Sequence, residues 1–220
     1  MTTSRYDAAR LDEMPDLPLG FAPDLAWKPV RRHLGLSAFG VNAYVAGVPG
    51  SLLIEDHDET GGGAGHHEEL YVIIAGSARF TLDDEELDAP AGTFVAIHDP
   101  AIRRSAVALE AGTTALAIGG EPGKPFRVSP WEFSFRADAA KGQGRVDEAV
   151  GIMRSGLEEH RDNPAVLYNL ACYETLGGRY DDALAHLKRA VALDPKLLVL
   201  AQTDLDLAIL RDRPGFPAEA

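Results

Sequence analysis

The spacing of apolar residues changes once along this chain, between Phe126 and Trp131, and that change limits the possible folds more than any other feature. Before it, short runs rich in Val, Ile, Leu, Phe and Tyr read as strands over residues 34–45, 51–55, 69–74, 78–82, 93–97, 105–109 and 114–118. Turn signals separate them: Pro49-Gly50, the glycine-rich stretch 61–65, Asp83-Asp84, Pro90-Ala91-Gly92, Asp99-Pro100 and Gly112. Many short strands at regular spacing indicate a sandwich or barrel. After the change the spacing is helical, with breaks at 142–144, Asn163-Pro164, Gly177-Gly178 and Asp194-Pro195. Helices end at glycine or ahead of proline because neither continues the backbone ladder.

The pattern predicts an α+β protein of two domains. Residues 1–27 are acidic and proline-dotted and read as an irregular arm, with a turn of helix around 6–11. A barrel follows over 28–126, then a linker over 127–130. Helices occupy 131–213, the last of them a cap over 196–210, and 214–220 is a tail.

Charge excludes two classes of partner. The chain carries −13. Up to Pro130 there are 19 acids and 10 bases, a net −9; beyond it 15 acids and 11 bases, a net −4. Neither half has the basic footprint of a nucleic-acid binder, and anionic membrane surfaces repel both. No apolar run approaches the ~20 residues of a membrane span. The start, Met-Thr-Thr-Ser-Arg-Tyr-Asp, lacks the apolar segment of a secretion signal. A cytoplasmic location is expected. The single cysteine, Cys172, excludes an intrachain disulfide, and its place on a helix-packing position argues against a nucleophile. The glycine-rich stretch lacks the lysine and following helix of a phosphate loop. No catalytic residue is assigned.

Residues 164–195 closely resemble the ~34-residue tetratricopeptide repeat. Leu167, Leu170, Ala171, Tyr180, Ala183, Leu187, Ala190 and Pro195 stand at its signature spacings. Residues 144–149 (Gly-Arg-Val-Asp-Glu-Ala) mirror 178–183 (Gly-Arg-Tyr-Asp-Asp-Ala), which marks an earlier unit. The resemblance implies stacked helical hairpins that bind a protein partner, pack on the barrel or make a dimer. Asn169 falls where some members hold a peptide carboxylate, without the lysine and arginine that accompany it there.

The first half resembles the cupins over roughly 35–120. Glu69-Leu70-Tyr71-Val72-Ile73-Ile74-Ala75-Gly76 fits the end of their first motif, with six residues between its glutamate and glycine. Gly92 opens the second motif, whose later positions are His98, Asp99, Pro100, Arg103 and Val107. The resemblance implies a double-stranded β-helix, a jelly-roll barrel, and a homodimer. In metal-binding cupins, two histidines and a glutamate of the first motif join a histidine of the second. Here Arg103 takes that last place, and a guanidinium offers no lone pair. Glu55-Asp56-His57 takes the place of the histidine pair, and eleven residues separate His57 from Glu69, far more than in the family. Strand alternation sets His67, Glu69 and Tyr71 on one face.

Two readings follow. In one, Glu55, His57, His67 and Glu69 hold a single divalent metal; mixed imidazole and carboxylate donors suit Zn, Fe, Mn or Ni. In the other no metal is held. Arg103 pairs with Glu69 or Glu55, and Arg103, Glu69, Tyr71 and His98 line a site for a small polar or anionic ligand. The first describes a metal-dependent enzyme such as an oxygenase, isomerase or lyase; the second, a binding or scaffold protein. Of the other histidines, His66, His160 and His186 read as solvent-facing, and His33 as surface or interface.

Overall fold

The computed structural model describes residues 7–61 and 64–217, which fall into two units, Met1–Val128 and Ser129–Ala220. The first unit holds strands β1 (Leu17–Leu19), β2 (Ala22–Lys28), β3 (Gly40–Ala46), β4 (Leu52–His57), β5 (Glu68–Ala75), β6 (Ser77–Leu82), β7 (Glu85–Pro90), β8 (Phe94–Ile97), β9 (Arg104–Ala108) and β10 (Thr114–Gly120). A short helix, α1 (Val30–His33), follows β2. One sheet runs β1-β2-β3-β10-β5-β8 and the other β4-β9-β6-β7. Every pairing is antiparallel. From β3 onward the chain crosses to the other sheet at each step except the β6–β7 hairpin. That interleaving is the double-sheet jelly roll.

Alternation decides what enters the barrel. In β9, Arg104, Ala106 and Ala108 are buried while Ser105 and Val107 are not. In β6 the buried pair is Ala78 and Phe80. The Tyr71 ring of β5 meets Phe80 across the two sheets, 5.6 Å between centroids. On the outer face of the larger sheet, Val41 and Ala43 pack with Met14 and Val30.

Three expectations are corrected. The arm 1–27 is not irregular where it is described, because β1 and β2 extend the larger sheet. Pro23 hid β2 from the sequence, since proline donates no ladder hydrogen bond. In the fold Pro23 lies in the bulge opposite β1 and ahead of Leu25, where pairing to β3 begins. The turn at Asp83-Asp84 leads into a strand that was not expected: β7 starts at Glu85 and buries only Ala89, so it carries little hydrophobic pattern. The first barrel strand starts at Gly40 rather than 34, after α1. Of the expected helical turn at 6–11, Tyr6 lies outside the described residues, and a 3-10 turn covers Leu11–Glu13.

One turn ties β5 to β6 tightly. Gly76 has φ +68°, and a Cβ there would lie 2.5 Å from Thr113 Oγ1 and 2.8 Å from Thr113 Cα. Gly50 has φ +82° and open space around it. Gly76→Ala is therefore expected to cost more than about 2 kcal/mol, against about 1 for Gly50→Ala. Urea unfolding of the two variants checks the order.

The second unit comprises α2 (Pro130–Gly142), α3 (Val146–Glu159), α4 (Pro164–Leu176), α5 (Tyr180–Leu193), α6 (Lys196–Thr203) and a 3-10 segment, Leu205–Leu210. Pro130 and Pro164 open their helices, where a missing N–H costs nothing. Asn163 caps α4 by accepting from Val166 N at 3.0 Å. Gly144 and Gly178, both at φ +74°, turn the chain between paired helices. Leu167, Ala171, Ala183, Leu187 and Ala190, named above for their spacing, are all fully buried in one core. The expected single helix 196–210 breaks at Asp204. Its carboxylate caps Asp206 N at 3.0 Å and accepts from the Tyr168 hydroxyl at 2.8 Å. Leu207 and Leu210 then bury in the same core. The end of the tail, 218–220, lies outside the described residues.

Candidate functional site

The mouth of the barrel is built from the end of β4, the loop that follows it, the start of β5 and the start of β9. His57 ends β4. Its Nδ1 lies 2.7 Å from the carbonyl of Glu55. A carbonyl only accepts, so Nδ1 carries a proton and Nε2 is the ring nitrogen left to face the carboxylates. That Nε2 is 3.9 Å from Glu59 Oε1 and 3.9 Å from Glu69 Oε2. One donor atom from each of His57, Glu59 and Glu69 lies within 4.8 Å of the others.

Glu59 was not among the residues expected here. It sits in the loop between β4 and β5 yet is 2% exposed. Its Oε2 accepts from Gly65 N at 2.7 Å, and its own N–H donates to the Pro100 carbonyl at 2.8 Å. One oxygen thus pins the loop while the other faces His57. The signal was present: Glu55, His57 and Glu59 continue one alternation, but Glu59 reads as part of the insertion. His67 is buried with Nδ1 4.0 Å from Glu59 Oε2, beside the cluster. A Cβ on Gly65 would run into its ring. Glu55 is half-buried next to His57 and lies outside the three-residue cluster.

Glu69 is the hub. Its Oε2 accepts from the Tyr71 hydroxyl at 2.7 Å and from Arg104 Nε at 3.1 Å. Arg104 is fully buried, and its Nη1 donates to the carbonyls of Ile102 and Pro100 at 2.8 and 3.3 Å. Nη2 is 3.1 Å from Glu69 Oε2 as an ion pair but makes no hydrogen bond of proper angle. The arginine on the buried acid is therefore Arg104, and the expectation that Arg103 would pair with Glu69 or Glu55 is corrected. β9 begins at Arg104, and alternation turns that residue inward. Arg103 precedes the strand; its N–H donates to Asp83 Oδ1 at 2.9 Å and its exposed guanidinium pairs with Asp56 at 2.7 Å. His98 is exposed too, against Glu68.

Burial raises the Glu69 pKa above the ordinary carboxylate value, and the neighbouring Glu59 raises it further. The Tyr71 hydrogen bond, Arg104 and His57 pull the other way. Burial raises Glu55 as well, with His57 opposing. Burial and the Glu69 charge hold the Tyr71 hydroxyl protonated, fixing it as a donor.

The donor set fits a small divalent cation. Such ions bind imidazole and carboxylate at about 2.0–2.2 Å, so two donors of one ion stand at most about 4.4 Å apart. Both His57 distances meet that limit, and the three donors together lie within 4.8 Å. Charge agrees: the buried carboxylates of Glu59 and Glu69 and the half-buried one of Glu55 face the single guanidinium of Arg104 among the described residues around them.

In the helical unit, Asn169 Nδ2 donates to Ser134 Oγ at 2.8 Å, so it is engaged within the unit. Burial, with Asp204 and Asp206 nearby, pushes the Cys172 thiol far above its usual range and leaves it unreactive. His186, expected to face solvent, is three-quarters buried and bonded to Glu174 at 2.7 Å.

Residues 140–196 match the family profile of the tetratricopeptide repeat. No curated protein sequence matches the chain significantly. Among solved structures, a sugar phosphate isomerase from a cupin superfamily of Silicibacter pomeroyi aligns at 18% identity with a TM-score of 0.44, covering 52% of this chain and 75% of its own. A cupin protein from Bacteroides fragilis aligns at 17% and 0.40, covering 58% and 93%. A cupin domain of a transcriptional regulator from Enterobacter cloacae aligns at 14% and 0.37, covering 45% and 98%. The first unit is thus a double-sheet jelly roll, and the second is a helical array whose residues 140–196 match the tetratricopeptide repeat. Among the described residues no helix is long and apolar enough to cross a membrane.

Proposed function

We propose that the barrel binds one divalent cation at His57, Glu59 and Glu69, as part of a site for a small polar ligand, and that the helical unit serves protein association. The observation that carries the reading is the His57 ring. A backbone carbonyl holds its Nδ1–H, and its Nε2 faces two buried carboxylates. A bound ion would supply Lewis acidity at the mouth of the barrel. This chain's own residues hold and orient what enters: Tyr71 and Arg104 fix Glu69, and Glu59 fixes the loop.

Calorimetric titration of metal-stripped protein with Zn²⁺, Mn²⁺, Ni²⁺ and Fe²⁺ tests the proposal. One ion per chain is expected for wild type, with affinity reduced at least about 100-fold in His57→Ala. Binding that is absent, or indifferent to His57, would refute it.

A second reading rests on Arg104, whose fully buried guanidinium lies against Glu69 and repels a cation. In that reading the barrel takes a small ligand without metal. It predicts ligand binding that survives chelation, measured as a thermal shift in EDTA. For the helices, association is tested by sedimentation of the full chain. A second copy is the expected partner, and a monomer at micromolar concentration would count against it.

A further inference from the structure

The outer face of the larger sheet carries a cleft of about 640 Å³, which shares no lining residue with the cluster at the barrel mouth. Small-molecule sites span about 300–1,000 Å³. The floor of the cleft is one cross-strand row, Ala26, Val45 and Thr114. Paired residues project to the same face, and Val45 continues the outward alternation of Val41 and Ala43. The wall is the segment 10–16, where Leu11 adds an apolar side chain. Met14 of that segment is buried with Val41 and Ala43 and fixes the wall to the sheet.

Lys28 lines the cleft with a side chain only 8% exposed. Its ammonium donates to the Met14 carbonyl at 3.2 Å and pairs with Asp16 Oδ1 at 2.5 Å. Lysine is rarely buried, and Asp16, itself 63% exposed, does not need a buried partner. An ammonium has three donors, so one N–H of Lys28 has no acceptor among the described residues. Asp16 keeps Oδ2 as an acceptor beside it. At the rim, Arg10 and Asp12 satisfy each other through bonds of 2.9 and 2.7 Å. The two cations and two acids that line the cleft cancel. We propose that the cleft binds a free α-amino acid with an apolar side chain. The carboxylate accepts from Lys28, the ammonium donates to Asp16, and the side chain lies on Leu11, Ala26 and Val45. A charge-balanced site favours a zwitterion over an anion or a cation, and adjacent donor and acceptor groups match its two charged ends.

The test is calorimetry on the full-length protein in EDTA, which keeps divalent ions out of the barrel mouth. L-leucine and L-phenylalanine are each compared with the deaminated acid and the amide of the same side chain, and with glycine. At least one of the two amino acids is expected to bind with a Kd of about 1 mM or tighter. Loss of either charged group, or of the side chain in glycine, is expected to weaken binding about tenfold or more. Asp16→Asn is expected to reduce the amino acid to the level of its deaminated analogue, and Lys28→Met to the level of its amide. Asp16 is exposed, so thermal unfolding of Asp16→Asn is expected to match wild type. Failure of both amino acids to bind would overturn the proposal. So would an analogue that binds as tightly as its amino acid, or binding that survives Asp16→Asn or Lys28→Met.

Discussion

Arg104→Met is expected to destabilise the barrel by about 3–5 kcal/mol, because it leaves the Glu69 carboxylate buried without its cation. The neighbouring change Arg103→Met is expected to have far less effect, since its pair with Asp56 is more than half exposed on both sides. Side-chain size and charge change identically in the two variants, so the difference isolates burial. Trp27 is fully buried in the barrel and reports on it once Trp131 is replaced by Phe. Urea unfolding followed by its fluorescence gives both numbers. The double variant Arg104→Met/Glu69→Gln is expected to recover much of the loss, because no buried charge is then left alone. Equal effects at 103 and 104 would contradict the geometry of β9.

Glu174→Ala is expected to destabilise the helical unit by about 2–4 kcal/mol. Its side chain is fully buried, accepting from Arg154 at 2.8 Å and bonded to His186 at 2.7 Å. Burial by itself would raise the Glu174 pKa, but the bonds from His186 and Arg154 outweigh it and hold the value below the ordinary 4.5. A folded-state value that is depressed sets the sign. The contribution is complete above the unfolded value near 4.5 and is lost as pH falls through the folded value below it. Thermal unfolding by circular dichroism from pH 7 to pH 3 should therefore show wild type converging on Glu174→Ala only at the acid end. A constant gap across the range would contradict the ion-pair account.

The helical half was legible because its information is local. Small residues at Ala171, Ala183 and Ala190 are needed where helices approach, and the glycines at 144 and 178 are needed for positive φ. Glu174 and His186 were not legible, because a polar pair buried between α4 and α5 leaves no periodic trace. In the barrel, strand order could not be read from hydrophobic runs, yet the runs themselves marked most strands. Those that escaped, β2 and β7, hold a proline in a bulge or bury one alanine. At the site, His57, Glu69 and Tyr71 followed from spacing and alternation. Arg104 was displaced by one residue because the position where β9 begins cannot be counted along the motif. Glu59 was hidden because a loop, not a strand, carries it inward.

The central claim is that Glu59, and not Glu55, completes the cation site with His57 and Glu69. Electron paramagnetic resonance titration of metal-stripped protein with Mn²⁺ tests it on wild type, Glu59→Gln and Glu55→Gln. The account predicts one bound ion in wild type, loss of about 10–100-fold in affinity for Glu59→Gln, and near-wild-type binding for Glu55→Gln. Tight binding that survives Glu59→Gln, or no bound ion in wild type, would contradict it.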